Sequence, residues 1–455
     1  MQQWTEKYKH SKGYSHFDVP KPIGKCKKYI EDPLSIESHA FLPFIHYQKQ
    51  KSKFKNGKLL PKEPRDIFYC SHFDRLVYGY YSLKLNDKYI NLIKELGIDD
   101  CIAAYRNDNY LTTPQVAKRL FDFIKQCGEG IVFIGDFTSF FDYLDHKYLK
   151  EQMCQVLNVK ELPNDWYAIF KSITKYSYAD LSDISSFLKV KQPKHGIFSR
   201  KDYDRLMDSS HFHAFKKPPY NGVKKNRNDY GIPQGSPISA TLSNVYMLSF
   251  DKKVHQFVKE TNGIYIRYCD DFVIALPGNK SKLDNLQNFL YQFIQRGYAN
   301  QEDIVSNDLV KNVTLQPEKS KQYIFHKDRN TNKTHIVDLS GKSKTHRIQF
   351  LGLYFDGDKV YLRDSTISRY YYKVYRKIKT INKHRTKGRK IGQSNLYKKY
   401  TIKGSYPSKH SRNGQQWGNF LTYLQRLHYT FKDNFIDKIT PRHCKKIKSK
   451  MKPRD

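Results

Sequence analysis

The chain has 455 residues, and its 81 Lys and Arg residues outnumber its 44 Asp and Glu residues, which gives a formal net charge of +37. A balance this basic argues against an ordinary enzyme of small molecules. It indicates a polyanionic partner, with nucleic acid ahead of an anionic membrane surface. No apolar run approaches the roughly 20 residues that a bilayer-spanning helix needs, so the membrane alternative is the weaker one.

A chain of this length can form two or three subdomains. Its seven cysteines are scattered and never occur at CxxC spacing, which indicates a reducing compartment and disfavours a zinc knuckle. The sequence begins MQQWTEKYKH, without the charged-then-apolar pattern of a leader. We therefore expect a cytoplasmic protein. The 36 tyrosines interleave with lysines, a pattern that suits base stacking beside phosphate contacts.

The first third of the chain contains one irregular and two helical stretches. Residues 1–66 mix Lys, Pro, Gly and isolated aromatic residues, and we expect an irregular basic extension there. From Ile67 to Gly97, apolar residues recur at helical spacing. A second helix should begin at Thr113, with Pro114 in its first turn, and end at Gly128.

A buried strand and a polar interval follow. Residues 131–134 read IVFI, which predicts a strand that ends at Asp136 and passes into a helix. The interval 166–230 is polar and should be partly helical, with a surface insertion. The segment GIPQGSPISATLSN then predicts a turn that leads into a helix over residues 237–258.

The stretch from Ile264 to Leu276 reads IYIRYCDDFVIAL. The runs on either side of the acids are rich in β-branched and aromatic residues, so they predict two short strands with Asp270 and Asp271 at the turn between them. Adjacent carboxylates repel each other and must be hydrated, protonated or neutralised by cations. This stretch alone is compatible with two interpretations, a divalent metal site and a solvated Asp-Asp turn.

The remaining elements are a mixture of helices and strands with a basic C-terminal part. We expect a helix over 281–296, a strand near 322–325, a hairpin over 349–363 with its turn at Asp356-Gly357-Asp358, a basic helix over 365–390, and an apolar helix within the basic tail from Ser408.

Three acids lie at strand ends: Asp136, Asp270 and Asp271. If the two strands are neighbours, three carboxylates converge at one sheet edge. Such a set can hold two Mg²⁺ ions about 3.5–4 Å apart, an arrangement that activates a 3′-hydroxyl and stabilises a pyrophosphate leaving group.

Five segments, in this order, resemble the motifs of the reverse transcriptase palm, over roughly residues 67–378. GDFTSFFD resembles the first catalytic motif, GIPQGSPISATLSN the template- and nucleotide-positioning motif, and YCDD the central YxDD. LQPEKS is similar to the later motif that supplies a lysine, and FLG to the start of the primer grip. Any one of these matches alone would be weak evidence for the family, whereas five matches in the family's order are specific.

The resemblance implies an α+β right-hand polymerase with fingers, a palm (a ferredoxin-like antiparallel sheet with helices on one face) and a helical thumb. The implied domains are a basic N-terminal extension (1–66), fingers (67–130), a palm with a polar insertion near 175–228 (131–345), the primer-grip hairpin and start of the thumb (346–390), and a basic helical thumb or RNA-binding region (391–455).

Carried over position by position, the resemblance makes Asp136, Phe137, Asp270 and Asp271 the metal-binding residues, for two Mg²⁺ ions with Mn²⁺ as an alternative. The three acids are also the catalytic residues, together with Lys319, which would protonate or neutralise the leaving pyrophosphate.

The substrate-binding positions implied by the resemblance are Phe137, Phe141, Gln234, Gly235, Tyr268, Arg75 and Arg106. Phe141 falls where a bulky side chain would collide with a ribose 2′-hydroxyl, which implies the use of deoxynucleotides; a core position is the alternative for Phe140 or Phe141. Gln234 and Gly235 should lie against the nucleotide and the template base. Arg75 and Arg106 would contact the triphosphate, although the family's usual Lys…Gly-x-Arg fingers pattern is not evident.

The segments CSHFDRLVYGYY, AYRN and FLGLYFDGDKVYLRDSTISRYYYKVYR resemble the bacterial defence-associated, abortive-infection-like reverse transcriptases. The resemblance implies DNA synthesis in the bacterial cytoplasm from dNTPs, with a structured noncoding RNA, a DNA product or primer and no membrane; a homo-oligomer is left open. The alternatives are a template-independent or protein-primed DNA polymerase, a group II intron or retron enzyme, an RNA-dependent RNA polymerase, and a non-catalytic RNA-binding protein.

Overall fold

The computed structural model describes residues 2–10, 12–55, 58–108, 111–137, 139–193, 195–294, 315, 320–341, 346–385, 393–401, 404, 418–432 and 440–451. The helices of this part of the chain are α1 Gln2–Tyr8, α2 Ile23–Glu31, α3 Pro33–Glu37, α4 His72–Glu95, α5 Thr113–Cys127, α6 His146–Leu157, α7 Asn164–Thr174, α8 Leu181–Phe187, α9 Ser209–Lys216, α10 Ser239–Tyr246, α11 Leu248–Glu260, α12 Ser281–Ile294, α13 Asp364–Arg385, α14 Gln393–Tyr400, α15 Phe420–Phe431 and α16 Thr440–Lys450.

The strands are β1 Phe44–Lys55, β2 Lys58–Tyr69, β3 Glu129–Asp136, β4 Ser177–Asp180, β5 Lys224–Lys225, β6 Ile264–Tyr268, β7 Asp271–Pro277, β8 Lys321–Lys327, β9 Thr334–Asp338, β10 Ile348–Phe350, β11 Leu353–Phe355 and β12 Val360–Leu362. A 3₁₀ turn, Phe140–Asp142, follows β3. The chain therefore has the α+β composition expected from its sequence.

The central sheet has five antiparallel strands in the order β6-β7-β3-β8-β9. Side chains of β3 alternate between two apolar layers. Ile131 and Phe133 pack with the helical layer that includes α6, α10, α11 and α12, while Val132 and Ile134 pack with α5 and the sheet β10-β11-β12. Both faces of β3 are covered, which explains its uninterrupted apolar run. Helices thus lie on both faces, not on one alone as expected.

The N-terminal 66 residues are not irregular, contrary to the expectation. They form α1 to α3 and most of a hairpin of two 12-residue strands, β1 and β2. Trp4 is 1% exposed, and its Nε1 donates a hydrogen bond to the Leu76 carbonyl oxygen at 3.2 Å. Lysines occupy many positions of the hairpin, so the apolar alternation that signals a strand is hidden.

The polar interval is joined to this N-terminal part. Strand β4 pairs in parallel with β1, which gives a four-stranded sheet in the order β2-β1-β4-β5. Ile45, Ala179, Phe198 and Phe215 are buried together under this sheet. The predicted extension and the predicted insertion therefore share one hydrophobic core.

Two predicted elements differ in detail. The helix expected over 237–258 is interrupted at Met247 into α10 and α11. The hairpin expected over 349–363 is a three-stranded antiparallel meander, β10-β11-β12. The basic helix after it, α13, begins and ends close to the predicted residues. Within the described part of the chain, none of the helices has the length and apolar character that crossing a bilayer would require.

A fully buried ion pair lies between α11 and β6. Arg267 Nε donates to Asp251 Oδ1 at 2.7 Å and Nη2 donates to Oδ2 at 2.6 Å, and both side chains are 0% exposed. Tyr265 also donates its hydroxyl to Asp251, at 2.6 Å. The two-pronged geometry and the third hydrogen bond compensate the loss of hydration of the two charges.

A second charged group joins β1, β2 and β4. The imidazole of His46 contacts Asp180 through Nδ1 and Asp66 Oδ1 through Nε2 at 2.9 Å, and Lys224 also binds Asp180. Burial lowers the pKa of His46, but the hydrogen bonds to Asp180 and Asp66 outweigh burial and raise the pKa above 6.5. The protonated form therefore stabilises the fold.

Removing one member of the buried pair should be strongly destabilising. We expect Asp251→Asn to lower the free energy of unfolding by about 3–5 kcal/mol, because Arg267 keeps its charge without a charged partner. Urea unfolding followed by circular dichroism measures this change. The double variant Asp251→Leu with Arg267→Met should lose less than Asp251→Asn. A loss for Asp251→Asn within about 0.5 kcal/mol, typical of a surface position, would contradict the importance of the pair.

The His46 group should make stability depend on pH. Since the pKa of His46 is raised in the folded state, its contribution is complete below pH 6.5 and is lost as the pH rises through the raised value. We expect the melting temperature of wild type to exceed that of His46→Gln by more at pH 6 than at pH 8.5. The control is His213→Gln, which removes an exposed imidazole elsewhere in the chain. An equal difference at both pH values for His46→Gln would contradict the assignment.

Candidate active site

The pairing of β3 with β7 brings the three predicted acids together. Asp136, the last residue of β3, lies directly opposite Asp271, the first residue of β7. Asp270 precedes Asp271 in the turn from β6, and its carbonyl oxygen accepts a hydrogen bond from the Phe137 amide at 3.3 Å. All three acids are half-buried. The structure thus places them at one end of the two central strands, as the strand pattern predicts.

The three acids lie at neighbouring strand ends, and each is partly exposed. Oxygen ligands from carboxylates are the donors that Mg²⁺ prefers. Several partly exposed carboxylates on neighbouring strand ends fit a site that is shared by two cations.

A second group of possible metal ligands lies elsewhere in the described part of the chain. The ligand atoms of Asp100, Cys101 and His255 lie within 4.8 Å of one another. Burial raises the pKa of the Cys101 thiol well above its usual value, and the thiol donates a hydrogen bond to the Ile98 carbonyl oxygen at 3.0 Å. The carboxylate of Asp100 lies 3.5 Å from Arg119. These contacts give the thiol and the carboxylate partners within the fold.

The turn that carries the acids is held in place by Arg267 of the buried ion pair. Cys269 has a positive φ of +64°, and its carbonyl oxygen accepts a hydrogen bond from Arg267 Nη1 at 3.1 Å. The same Nη1 atom donates to Asn244 Oδ1 at 3.1 Å, and Asn244 Nδ2 donates to the Ala104 carbonyl oxygen at 2.9 Å. Burial and the nearby Asp270 raise the pKa of the Cys269 thiol to about 12, so it stays protonated.

The phenylalanines after Asp136 divide between core and site. Phe137 is 2% exposed, and its ring packs near Phe140 and Phe272, so only its main chain can face a metal or substrate. Phe140 is 4% exposed and belongs to the core. Phe141 is half-buried, and its carbonyl oxygen is fixed by the Ile232 amide at 2.9 Å. Phe141 is therefore the less buried of the two, although its ring also packs against the core and lies 5.6 Å from the Phe140 ring.

Gln234 and Gly235 form a turn that is attached to the N-terminal hairpin. The Gln234 carbonyl oxygen accepts a hydrogen bond from the Phe68 amide at 2.9 Å, and its Nε2 donates to Asp142 Oδ1 at 3.2 Å. Gly235 has a φ of +129°, and a Cβ there would lie 2.2 Å from the Phe68 carbonyl oxygen. Only glycine permits this close approach.

Charged side chains of the hairpin lie within electrostatic reach of this turn, a feature that the sequence did not predict. Burial raises the pKa of Asp142 and the negative charge of Asp66 adds to the rise, while the hydrogen bond from Gln234 and the positive charges of Arg65 and Lys51 act in the opposite direction. Arg65 and Lys51 are therefore close enough to Asp142 to interact with its charge. The dense run of basic residues around positions 49–65 was the signal for this feature in the sequence. Without a predicted strand, the sequence does not show in which direction these side chains point.

Two tyrosines lie near the acids. Tyr268, at the end of β6, is half-buried and packs against the apolar layer formed with α5. Tyr105 is 47% exposed and has a φ of +59°. The AYRN segment, which contains Tyr105, is next to the turn, because the Ala103 amide donates a hydrogen bond to the Arg267 carbonyl oxygen at 2.9 Å and the Ala104 carbonyl oxygen accepts one from Asn244. The predicted contact of Tyr268 with primer or nucleotide remains a prediction.

The structure does not bring Arg75 and Arg106 to the three acids. The buried guanidinium of Arg75 lies 4.7 Å from the Tyr8 ring centroid. Arg106, with a side chain 3% exposed, binds Asp108 at 2.9–3.0 Å. Both guanidinium groups are engaged in holding the local fold, so the described contacts give no support to their predicted role at the triphosphate. Lys319 lies outside the described residues.

Comparison with known proteins links this geometry to a family. Residues 206–355 match the family described as reverse transcriptase (RNA-dependent DNA polymerase). This segment contains Gln234, Gly235, Tyr268 and the Asp270–Asp271 pair, whereas Asp136 precedes it and joins it through β3. Comparison with curated proteins finds no match.

Solved structures that are similar include apo telomerase from Candida tropicalis truncated from its C-terminal domain, with 14% identity, a TM-score of 0.41, and coverage of 69% of this chain and 54% of that one. Full apo telomerase from Candida tropicalis has 14% identity, a TM-score of 0.39 and coverage of 82% and 60%. Telomerase from Candida albicans with a fragment of telomeric RNA has 14% identity, a TM-score of 0.40 and coverage of 75% and 48%. The chain thus aligns with only about half to three-fifths of the length of these proteins. The match over residues 206–355 indicates the enzyme class of the RNA-directed DNA polymerases, which are nucleotidyltransferases.

Proposed function

We propose that the protein is an RNA-directed DNA polymerase that adds deoxynucleotides to a 3′-hydroxyl. The observation that carries the proposal is the register of β3 and β7, which puts Asp136 opposite Asp271 and beside Asp270. These acids come from distant parts of the sequence, and only one pair lies within the segment that matches the reverse transcriptase family. Their convergence supports a working site over a relic of one.

Asp136, Asp270 and Asp271 would hold two Mg²⁺ ions, with the main chain of Phe137 beside them. Two divalent ions bound there would activate the attacking 3′-hydroxyl and stabilise the pyrophosphate leaving group. The chain's own contribution is to fix the three carboxylates. The β3–β7 ladder fixes Asp136 and Asp271, and the hydrogen bond from Arg267 to the Cys269 carbonyl oxygen fixes the turn.

The incoming nucleotide would lie between the acids and the turn at Gln234 and Gly235. Arg65 and Lys51, which act on the charge of Asp142, would attract its phosphates from the hairpin side. We assign this role to them because Arg75 and Arg106 are engaged elsewhere. Phe141 would exclude a ribose 2′-hydroxyl, so that deoxynucleotides are the preferred substrates.

The partner that we propose is a structured noncoding RNA, and the setting is antiphage defence in the bacterial cytoplasm. Support comes from the net charge of +37, which favours polyanion binding, and from the resemblance of the segments around residues 70–81, 104–107 and 350–376 to the defence-associated enzymes. The RNA would be held mainly through its backbone and shape, with aromatic residues stacking on unpaired bases.

Removing the proposed metal-binding acids should abolish synthesis. We expect Asp136→Asn and Asp270→Asn each to lower the rate of labelled dNTP incorporation on a primed RNA template in Mg²⁺ by about 10³-fold or more, since metal ions supply several kcal/mol of transition-state stabilisation. Asp202→Asn, which changes an exposed acid, is the control and should retain activity. Undiminished synthesis by a folded Asp270→Asn protein would refute the site assignment, and synthesis without added RNA would refute RNA templating.

Shortening Phe141 should relax sugar selection. We expect Phe141→Ala to lower the ratio of kcat/KM for a dNTP to kcat/KM for the matching ribonucleotide by about tenfold or more, because the side chain no longer fills the space of a 2′-hydroxyl. The ratio is insensitive to a general loss of active enzyme. Phe140→Leu, a change in the core, should lower both rates without altering the ratio. An unchanged ratio in Phe141→Ala would show that Phe141 is a packing residue.

A further inference from the structure

The C-terminal helices border an open surface cavity that the proposed active site does not use. It has a volume of about 520 Å³ and lies among α13, α14 and the beginning of α15. This volume is within the range of small-molecule sites, about 300–1,000 Å³. The acids of the proposed active site are at the ends of β3 and β7, and neither strand lines the cavity. The cavity is therefore a separate feature of the described structure.

The lining of the cavity is strongly basic. Arg369 and Lys373 lie one turn apart on α13, and Lys398 and Lys399 are at the end of α14. No carboxylate lines the cavity, and none of these four side chains forms an ion pair within the part of the chain that the structure describes. Like charges one turn apart on a helix destabilise each other. All four residues are exposed, so their charges are accessible to an anionic ligand.

The beginning of α15 adds a further positive element. Asn419 caps this 12-residue helix by accepting a hydrogen bond from the Leu421 amide at 2.9 Å. Its Nδ2 donates to the carbonyl oxygens of Lys398 at 3.1 Å and Thr401 at 2.7 Å. Asn419 therefore ties the positive end of the α15 dipole to the basic end of α14. A helix N-terminus favours negative charge, and here it acts together with four cationic side chains.

One wall of the cavity is aromatic. The rings of Tyr370 and Phe420 are stacked with centroids 4.4 Å apart, and the Tyr370 hydroxyl donates to the Tyr400 carbonyl oxygen at 2.8 Å. Phe420 and Tyr400 line the cavity and are half-buried. A simple inorganic anion would need only the cations. A lining that combines cationic and aromatic side chains suits a phosphate that carries a sugar and a base.

We propose that this cavity binds the phosphate of a nucleotide, and that the nucleotide is an unpaired residue of the RNA partner. The identity of the partner rests on the proposed function. A regular duplex keeps its bases stacked within the helix, whereas a loop or a strand end can turn one base out of the stack and against the aromatic residues of the cavity. The cavity would thereby hold one point of the RNA outside the site of synthesis.

The experiment measures binding of a labelled single-stranded RNA oligonucleotide by fluorescence anisotropy over a series of salt concentrations. EDTA is present and dNTPs are absent, so a failure of the polymerase proposal leaves this result interpretable. The variant is Arg369→Gln with Lys373→Gln. The control is Arg376→Gln with Lys379→Gln, which removes the same two charges from exposed positions of α13 that do not line the cavity.

We expect the cavity variant to weaken RNA binding by about tenfold or more and to reduce the slope of log K against log salt by about 0.7 for each phosphate that the variant no longer binds. The control should change both quantities much less. Lys398→Gln with Lys399→Gln, on the opposite wall, should weaken binding to the same extent, which guards against a local folding defect in the first variant. Equal weakening in variant and control would overturn the proposal, because general attraction to a basic helix would then explain binding.

Two further arms test the source of the nucleotide. Free ATP and GTP at micromolar concentration should not displace the RNA, and duplex RNA should bind the cavity variant as it binds wild type. Displacement by free nucleotide at concentrations comparable to those of the RNA would overturn the assignment to RNA and indicate a small-molecule site. Equally weakened binding of duplex RNA would overturn the assignment to an unpaired nucleotide.

Discussion

The pairing register of β3 with β7 is the constraint on which the candidate site depends. Asp136 and Asp271 are opposite each other only in this register. A shift of one residue would exchange the two faces of β3, moving Val132 and Ile134 into the layer that now receives Ile131 and Phe133. Since both faces are buried, such a shift disrupts two cores at once. The apolar packing of the sheet thus determines where the carboxylates lie.

The register alone does not keep mutually repelling carboxylates in place. The turn at Cys269 has a backbone conformation that L-residues adopt rarely, and its carbonyl oxygen is held by Arg267, whose charge is matched by Asp251 in the core. The Arg267 main chain also bonds to Cys101 and Ala103. The segment before α5, the helices after the Gln234 turn and the acidic turn are therefore one hydrogen-bonded unit, although they are far apart in sequence.

The elements that the sequence predicted best are those whose signal is local. The strand ending at Asp136, the hairpin at Asp270 and the helix from Thr113 all follow from apolar spacing and from residues that begin or end helices. The β1–β2 hairpin was missed because its lysine-rich strands show little apolar alternation, and its partner β4 lies over a hundred residues later. Arg267 was missed because one arginine within IYIRY looks like an ordinary outward-facing residue of a strand; its burial depends on Asp251 from another element.

The distribution of charge separates affinity for a nucleic acid from the positioning of that nucleic acid. In a protein of net charge +37, a polyanion is attracted to much of the surface, and attraction alone cannot position it. The three acids are a local exception: they repel a nucleic acid unless cations lie between, so phosphate oxygens can approach them only where a metal can bridge. Affinity can come from basic regions such as the hairpin and the C-terminal helices, while position is decided at the three acids, where a cation must lie between protein and phosphate. This division requires the acids to be rigid, and the buried register and the Arg267–Asp251 pair supply that rigidity.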